Sequence, residues 1–280
     1  MNSNTRSPIS DPSFIHTADN VRLFYRDWGN GAPLVFLSGW TLHSDMWFYQ
    51  MVPLAKQGYR CIAYDRRAHG RSSDPGGGYD FDTLANDLAS VLETLDLNGT
   101  TLISHSFASG EVVRYITRYG SERVARLVFI APAATPFLLK TADNPNGIDG
   151  QMFEQLRAAF LKSFPDWVEA NAEPYFVPGT SRAIVDWTIR MMTQTSLQAA
   201  VELNRIQTAT DFRSELARIK LPTLIIHGDR DASAPLDLTA RPTAQLIAGA
   251  RLKVYKGGPH GLYFTHAERL NRDLHDFLKQ

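Results

Sequence analysis

The sequence predicts an α/β fold in which a mostly parallel eight-stranded sheet is flanked by helices and carries an inserted helical cap. Three features of its 280 residues predict this. Short apolar or β-branched runs alternate with helix-like stretches, the alternation of a parallel sheet. Several runs are almost continuously apolar, as strands covered on both faces should be. Residues 134–213 then break the alternation with a long, aromatic-rich, helix-like stretch. The expected organisation is a core over residues 1–133, the cap over 134–213 and the rest of the core over 214–280.

Taken in order, strands are expected at residues 14–17, 21–28, 34–38, 60–64, 100–104, 126–130, 223–227 and 251–255. Between them, residues 81–95 place Phe81, Leu84, Leu88, Val91, Leu92 and Leu95 on one helical face. Residues 107–119 and 266–278 are helical by the same test. The cap region is rich in aromatics (among them Phe137, Phe160, Trp167, Tyr175 and Phe176), most forming its own small core and a minority facing a ligand.

Lys+Arg and Asp+Glu balance at 29 each, so nothing suggests nucleic acid or an anionic membrane as partner. No run of 18 apolar residues exists to span a membrane. Residues 1–13 are polar, with two prolines and no signal-peptide core. The single cysteine, Cys61, sits in the apolar run 60–64 and should pack rather than react. A cytoplasmic protein is expected, and a homo-oligomer is compatible with the sequence. No cofactor is expected: Gly76-Gly77-Gly78 lacks the Gly-Lys-Ser/Thr of a phosphate cradle, and no cluster has metal-ligand or haem-attachment spacing.

The strand at 100–104 runs into His105-Ser106-Phe107 and then into a helix beginning near Ala108. A serine at a strand-to-helix junction is a nucleophile elbow, which needs small residues two before and two after; here they are Ser104 and Ala108. The helix N-terminus also favours a developing negative charge. A helix-capping role is the bland alternative for such a serine, and Ser104 and Ser109 suit it better. His260 has the best context for a base, in Gly257-Gly258-Pro259-His260-Gly261 after the last strand. The acid should come from Gly228-Asp229-Arg230-Asp231-Ala232, where two aspartates compete. Asp229 is placed to tie the turn together, and Asp231 is better placed to reach a histidine on the next loop. His105 should point away from Ser106, and His69 should be a hydrogen-bonded loop residue.

An oxyanion needs two donors. The backbone N–H of Phe107 is one, and that of Trp40, in the loop Ser38-Gly39-Trp40, is the other, with Gly39 permitting the turn. Trp40 can serve as a core aromatic as well, since only its backbone is used. Thr41, His43 and Trp187 are candidates to line the pocket.

From about residue 14 to 278 the chain resembles the α/β-hydrolases known as cofactor-free bacterial haloperoxidases, perhydrolases and aryl esterases. The resemblance is carried by Tyr25-Arg26-Asp27-Trp28-Gly29, by Tyr64-Asp65-Arg66-Arg67-Ala68-His69-Gly70-Arg71-Ser72 and by Gly110-Glu111-Val112-Val113-Arg114-Tyr115. Val185-Asp186-Trp187 and Pro259-His260-Gly261-Leu262 add to it. It implies Ser106, Asp231 and His260 as the triad, with Trp40 and Phe107 as oxyanion donors. The departures are Ser38, where the family has His, and Ser104, Ala108 and Ser109, where it has glycines. Members specialised for making peracids have a proline after the tryptophan; Thr41 stands there instead, so hydrolysis should outrun perhydrolysis and Thr41→Pro should reverse the trend.

These residues favour a serine hydrolase acting on a small ester or lactone, with side perhydrolase or haloperoxidase activity. A cofactor-free dioxygenase on the same fold is the first alternative. Such enzymes take an acid from the end of the sixth strand, and Val128-Phe129-Ile130-Ala131-Pro132 has none. A non-catalytic ligand receptor is the second alternative, and an intact triad argues against it. Dehalogenases and epoxide hydrolases need Asp where Ser106 stands.

Overall fold

A computed structural model describes residues 13–133 and 138–280. The expected start of the cap at Ala134, the aromatic Phe137 and nearly all of the polar N-terminal stretch lie outside the described residues. All eight expected strands form: β1 (Phe14–His16), β2 (Arg22–Trp28), β3 (Pro33–Leu37), β4 (Arg60–Tyr64), β5 (Thr100–His105), β6 (Val124–Ile130), β7 (Thr223–Gly228) and β8 (Arg251–Tyr255). They make one sheet in the order β1-β2-β4-β3-β5-β6-β7-β8, antiparallel at β1-β2 and β2-β4 and parallel elsewhere.

Helices follow at α1 (Phe48–Lys56), α2 (Phe81–Thr94), α3 (Ala108–Tyr119), α4 (Gly150–Ala172), α5 (Arg182–Met192), α6 (Leu197–Ala209), α7 (Arg213–Leu216), α8 (Ala240–Leu246), α9 (Leu262–Thr265) and α10 (Ala267–Leu278). Successive strand residues face opposite sides. In β3, Val35 and Leu37 join the core formed with α2 and α3, while Leu34 and Phe36 join the core formed with α1 and α10. Each such side chain, fully buried, contributes about 2 kcal/mol. Asp80 opens α2 by accepting from Thr83 N at 2.8 Å, and Asp149 opens α4 by accepting from Gln151 N at 2.8 Å.

The long segment between β6 and β7 carries α4, α5, α6 and α7. α4 breaks its helical course at Ser163 (φ −164°), two residues before Pro165, whose ring and missing N–H cannot continue a regular ladder. Core helices α1, α8 and the one-turn α9 were not expected from the sequence. α1 holds Pro53 and buries Gln50 beside Met51 and Leu54, which blurs its apolar stripe. α8 is short and buries only Ala240 and Thr243. Among the described residues no helix is long and apolar enough to cross a membrane.

The parallel register decides where chemistry can occur. Leu37 pairs with Ser104, His105 with Ile130 and Gly228 with Tyr255, so β3, β5, β6, β7 and β8 end along one sheet edge. The loops that follow β3, β5, β7 and β8 therefore leave from the same side.

Candidate active site

Ser106 directly follows β5 with φ +54°, a left-handed backbone that a serine occupies only at a cost of about 1–2 kcal/mol. The elbow is held by packing and hydrogen bonds: Ser106 N donates to Ile130 O at 2.9 Å, and Ser109 Oγ donates to Ser106 O at 2.5 Å. Ser104 and Ala108, the small residues on either side, are completely buried. Ser104 and Ser109 thus do structural work and leave Ser106 Oγ for the site.

His260, on the loop after β8, lies 2.8 Å through Nε2 from Ser106 Oγ and 2.6 Å through Nδ1 from Asp231 Oδ2. An ionised carboxylate only accepts, so Nδ1 carries the proton and Nε2 is left to accept the serine hydroxyl. Asp231 Oδ1 accepts from Ser233 N at 2.9 Å and Ala234 N at 2.7 Å. Burial alone would raise the Asp231 pKa, but the neighbouring His260 and His227, by charge and hydrogen bond, hold it well below the usual carboxylate range. Of the two competing aspartates, Asp231 is the one beside His260. Asp229 accepts from Gly257 N at 2.6 Å and ties the two loops together.

Trp40 and Phe107 present backbone N–H groups that donate to no protein acceptor among the described residues. Gly39 does not have the positive φ expected of a turn glycine; that falls on Thr41, at +59°. Glycine is needed at 39 because a Cβ would sit 2.6 Å from His105 Nδ1. Trp40 also anchors the loop to α6, its Nε1 donating to Ala200 O at 2.9 Å, and its ring lies 5.0 Å from that of Phe160.

A cavity of about 300 Å³ opens over Ser106 and His260. Its walls come from Trp40 and Leu42 of the loop after β3 and from Phe160, Trp167, Tyr175 and Phe176 of the segment between β6 and β7. Phe153 and Phe164 of that segment are buried but do not line the cavity. Tyr175 packs its ring 5.2 Å from that of His260, and its carbonyl accepts from Gly261 N at 2.8 Å.

Three expected lining residues are placed elsewhere. Thr41 is fully buried, its Oγ donating to Trp40 O at 2.7 Å and its carbonyl accepting from Thr195 Oγ1 at 3.0 Å, while the next residue, Leu42, does reach the cavity. His43 starts the short 3₁₀ turn at Ser44–Trp47, accepting from Asp45 N, and lies 3.1 Å from an Arg71 nitrogen. Trp187 stacks on Phe48 and lines a separate surface groove with Phe48, Tyr49 and Val52. Thr41 at +59° also overturns the expectation for proline there, since a proline ring fixes φ near −65°.

Other residues enter the site that the sequence did not single out. His105 was expected to face away from Ser106, yet it lines the same cavity and packs 4.8 Å from the His260 ring. Its Nε2–H donates to His260 O at 3.0 Å, and burial lowers its pKa to about 3, so it is neutral. His227 Nε2 lies 2.8 Å from Ala234 O and 3.2 Å from Asp231 Oδ2. A histidine ending the apolar strand Thr223–Gly228 was the available signal. Arg66 clamps the loop after β3 from behind. It donates to Ser38 O at 2.6 Å and Gly39 O at 3.3 Å, pairs with Glu111 on α3, and lies over the Phe107 ring at 4.9 Å. His69 is a hydrogen-bonded loop residue as expected, 2.8 Å from Arg67 O. Among the described residues no group of three His, Cys, Asp or Glu is placed to hold a metal ion.

With the geometry in hand, relatives place it in context. The sequence profile of the alpha/beta hydrolase fold matches residues 32–267. The chain is 38% identical over 271 residues to the non-heme chloroperoxidase CPO-A1 of Kitasatospora aureofaciens, covering 94% of this chain and 98% of that protein. It is 35% identical over 275 residues to the bifunctional esterase/perhydrolase DCH of Acinetobacter calcoaceticus, covering 95% and 99%. The crystal structure of a bromoperoxidase from Bacillus anthracis matches with a TM-score of 0.91 at 34% identity, over 95% of this chain and 99% of that one. This chain therefore belongs to the α/β-hydrolase superfamily and, within it, to the family of the non-heme, cofactor-free haloperoxidases and esterase/perhydrolases.

Proposed function

We propose that this protein is a serine hydrolase that cleaves small carboxylic esters or lactones through an acyl-enzyme on Ser106. The observation that carries this is the continuous chain Ser106–His260–Asp231, at 2.8 and 2.6 Å, opening onto a mostly apolar cavity. Ser106 Oγ attacks the ester carbonyl as its proton passes to His260 Nε2. The carbonyl oxygen becomes an oxyanion held by the N–H groups of Trp40 and Phe107. His260 then gives the proton to the departing alcohol oxygen, which in a lactone stays tethered. Water repeats the sequence on the acyl-enzyme and releases the acid. The helices between β6 and β7 act as the cap that closes the cavity and excludes bulk water. Buried Cys61 fits a reducing compartment, which supports a cytoplasmic location.

Hydrogen peroxide in place of water breaks the same acyl–Oγ bond, forms a carbonyl–OOH bond and yields a peracid, which oxidises halide in solution. This side reaction needs a carboxylic acid or ester as acyl source. The Trp40 carbonyl already accepts one hydrogen bond, from the Thr41 hydroxyl, which weakens what it can offer peroxide and favours hydrolysis.

A panel of aryl esters, alkyl esters and lactones, with wild type and Ser106→Ala compared, tests the reading. Turnover should fall by several orders of magnitude in Ser106→Ala while circular dichroism is unchanged. Near-native activity of that variant refutes the mechanism, and oxygen uptake on aromatic substrates would replace it with the dioxygenase reading.

A further inference from the structure

The cavity wall supplied by α6 is polar, whereas most of the rest is aromatic or aliphatic. Asn204 and Gln207, three residues apart and so on one helical face, both line the cavity that holds Ser106. The orientation of the Asn204 carboxamide is fixed from behind. Arg157 of α4 donates through Nη1 to Asn204 Oδ1 at 3.0 Å and to Thr208 Oγ1 at 3.4 Å, and through Nη2 to Glu154 at 2.7 Å. A guanidinium has no acceptor, so the atom it meets is the amide oxygen. The NH₂ is then the part of Asn204 left for the cavity, and it has no partner among the described residues.

Burying a guanidinium is costly, and Arg157 is only 6% exposed. Its carboxylate partner Glu154 is itself 68% exposed, and the Arg157 Nε has no hydrogen-bond partner among the described residues. An aliphatic side chain would fill that space more cheaply. What the cation supplies instead is a fixed and polarised amide, whose N–H is a stronger donor for being hydrogen-bonded at its oxygen.

We propose that Asn204 determines specificity and that the preferred substrate is an ester carrying a second oxygen acceptor, an ether or carbonyl oxygen, in the part of the molecule under α6. This rests on the hydrolase reading above for what is cleaved. Gln207 offers a further donor and acceptor along the same face. A purely hydrocarbon chain there strips water from the Asn204 NH₂ and returns nothing, which disfavours it.

The test compares isosteres in which one CH₂ becomes oxygen. On the acyl side these are 4-nitrophenyl hexanoate and 4-nitrophenyl 3-ethoxypropanoate; on the alcohol side, pentyl acetate and 2-ethoxyethyl acetate. Each kcat/KM is divided by the rate of hydroxide hydrolysis of the same ester. Wild type should favour the oxa member of at least one pair by about tenfold. Asn204→Leu, which removes the amide, and Asn204→Asp, which removes the donor but keeps a partner for Arg157, should both bring the ratio to about one or below. A structural role alone would lower both members equally, and a ratio unmoved by either substitution, or absent from wild type in both pairs, overturns the proposal. The same ratios are read as Kd by calorimetry on Ser106→Ala. A chain that binds with the predicted preference but turns over neither ester would refute the hydrolase reading and support this one.

Discussion

Replacing Asp231 by Asn changes one atom, and the structure says which way the amide must turn. Oδ1 accepts from the N–H groups of Ser233 and Ala234, so the amide oxygen has to stay there, because NH₂ in that place would meet two donors. The NH₂ then faces His260 Nδ1, where Oδ2 was, 2.6 Å away in the native site. His260 Nδ1 must give up its proton to accept from it, and the proton moves to Nε2, where it points at Ser106 Oγ. The base is then in the wrong tautomer, and the imidazolium has lost its counter-charge. By the behaviour of hydrolytic triads the loss in kcat is on the order of 10⁴-fold, about 5.5 kcal/mol. Asp229→Asn keeps an oxygen for Gly257 N and should stay within a few-fold of wild type. The assay is initial-rate hydrolysis of an aryl ester by purified variants, with melting temperature checked and active sites counted by a fluorophosphonate. Asp231→Asn retaining a tenth of wild-type turnover, or Asp229→Asn losing it, would refute the reasoning.

Three further outcomes follow from the site. kcat/KM should fall on the acid side as the base takes a proton, because His260 must be neutral to accept from Ser106. Asp231 is held well below the usual carboxylate range and His105 at about 3, so neither adds a second ionisation there; an optimum below pH 5 contradicts this. Asp231 also sets a stability window: its depressed pKa stabilises the fold above about pH 4, the ordinary carboxylate value, and that contribution drains away as pH falls further, which acid titration of Asp231→Asn against wild type would show as a lost dependence. Thr41→Pro should unfold or rearrange the oxyanion loop at a cost of about 3 kcal/mol, since φ +59° is closed to proline. Thr41→Val, which frees the Trp40 carbonyl without changing shape, should instead raise the ratio of perhydrolysis to hydrolysis; an unchanged ratio in a folded Thr41→Val counts against the role given to that hydroxyl.

What could be read from the sequence was what local chemistry decides. Strands such as Arg60–Tyr64 and Thr223–Gly228 are apolar runs with a clear end, and Ser106 and His260 stand at junctions that only a tight turn can satisfy. Proximity along the chain was a poorer guide. Thr41 and His43 lie just beyond Trp40, yet both are buried outside the cavity while Leu42 between them lines it. Trp187 is aromatic and in the right segment, but its face of α5 looks outward over Phe48. Conversely, Arg66 and Asn204 matter through what they touch from distant segments, 28 residues away for Arg66 and Ser38 and 47 for Arg157 and Asn204, and no periodicity records that. His105, expected to face away from Ser106, lines the same cavity because its ring packs against that of His260.

The strand that delivers His260 is the outermost of the sheet. β8 has β7 on one side only, and most of its residues are partly exposed, whereas β5, which delivers Ser106, is buried at every position between two neighbours. Protection against local opening follows that difference: edge elements with exposed backbone fray at a small fraction of the free energy needed to breach the centre. On the proposed mechanism the nucleophile thus follows a central, fully buried strand and the base follows an edge strand. Warming should then cost activity before the bulk of the fold melts, which the midpoints of ester turnover and of circular dichroism check.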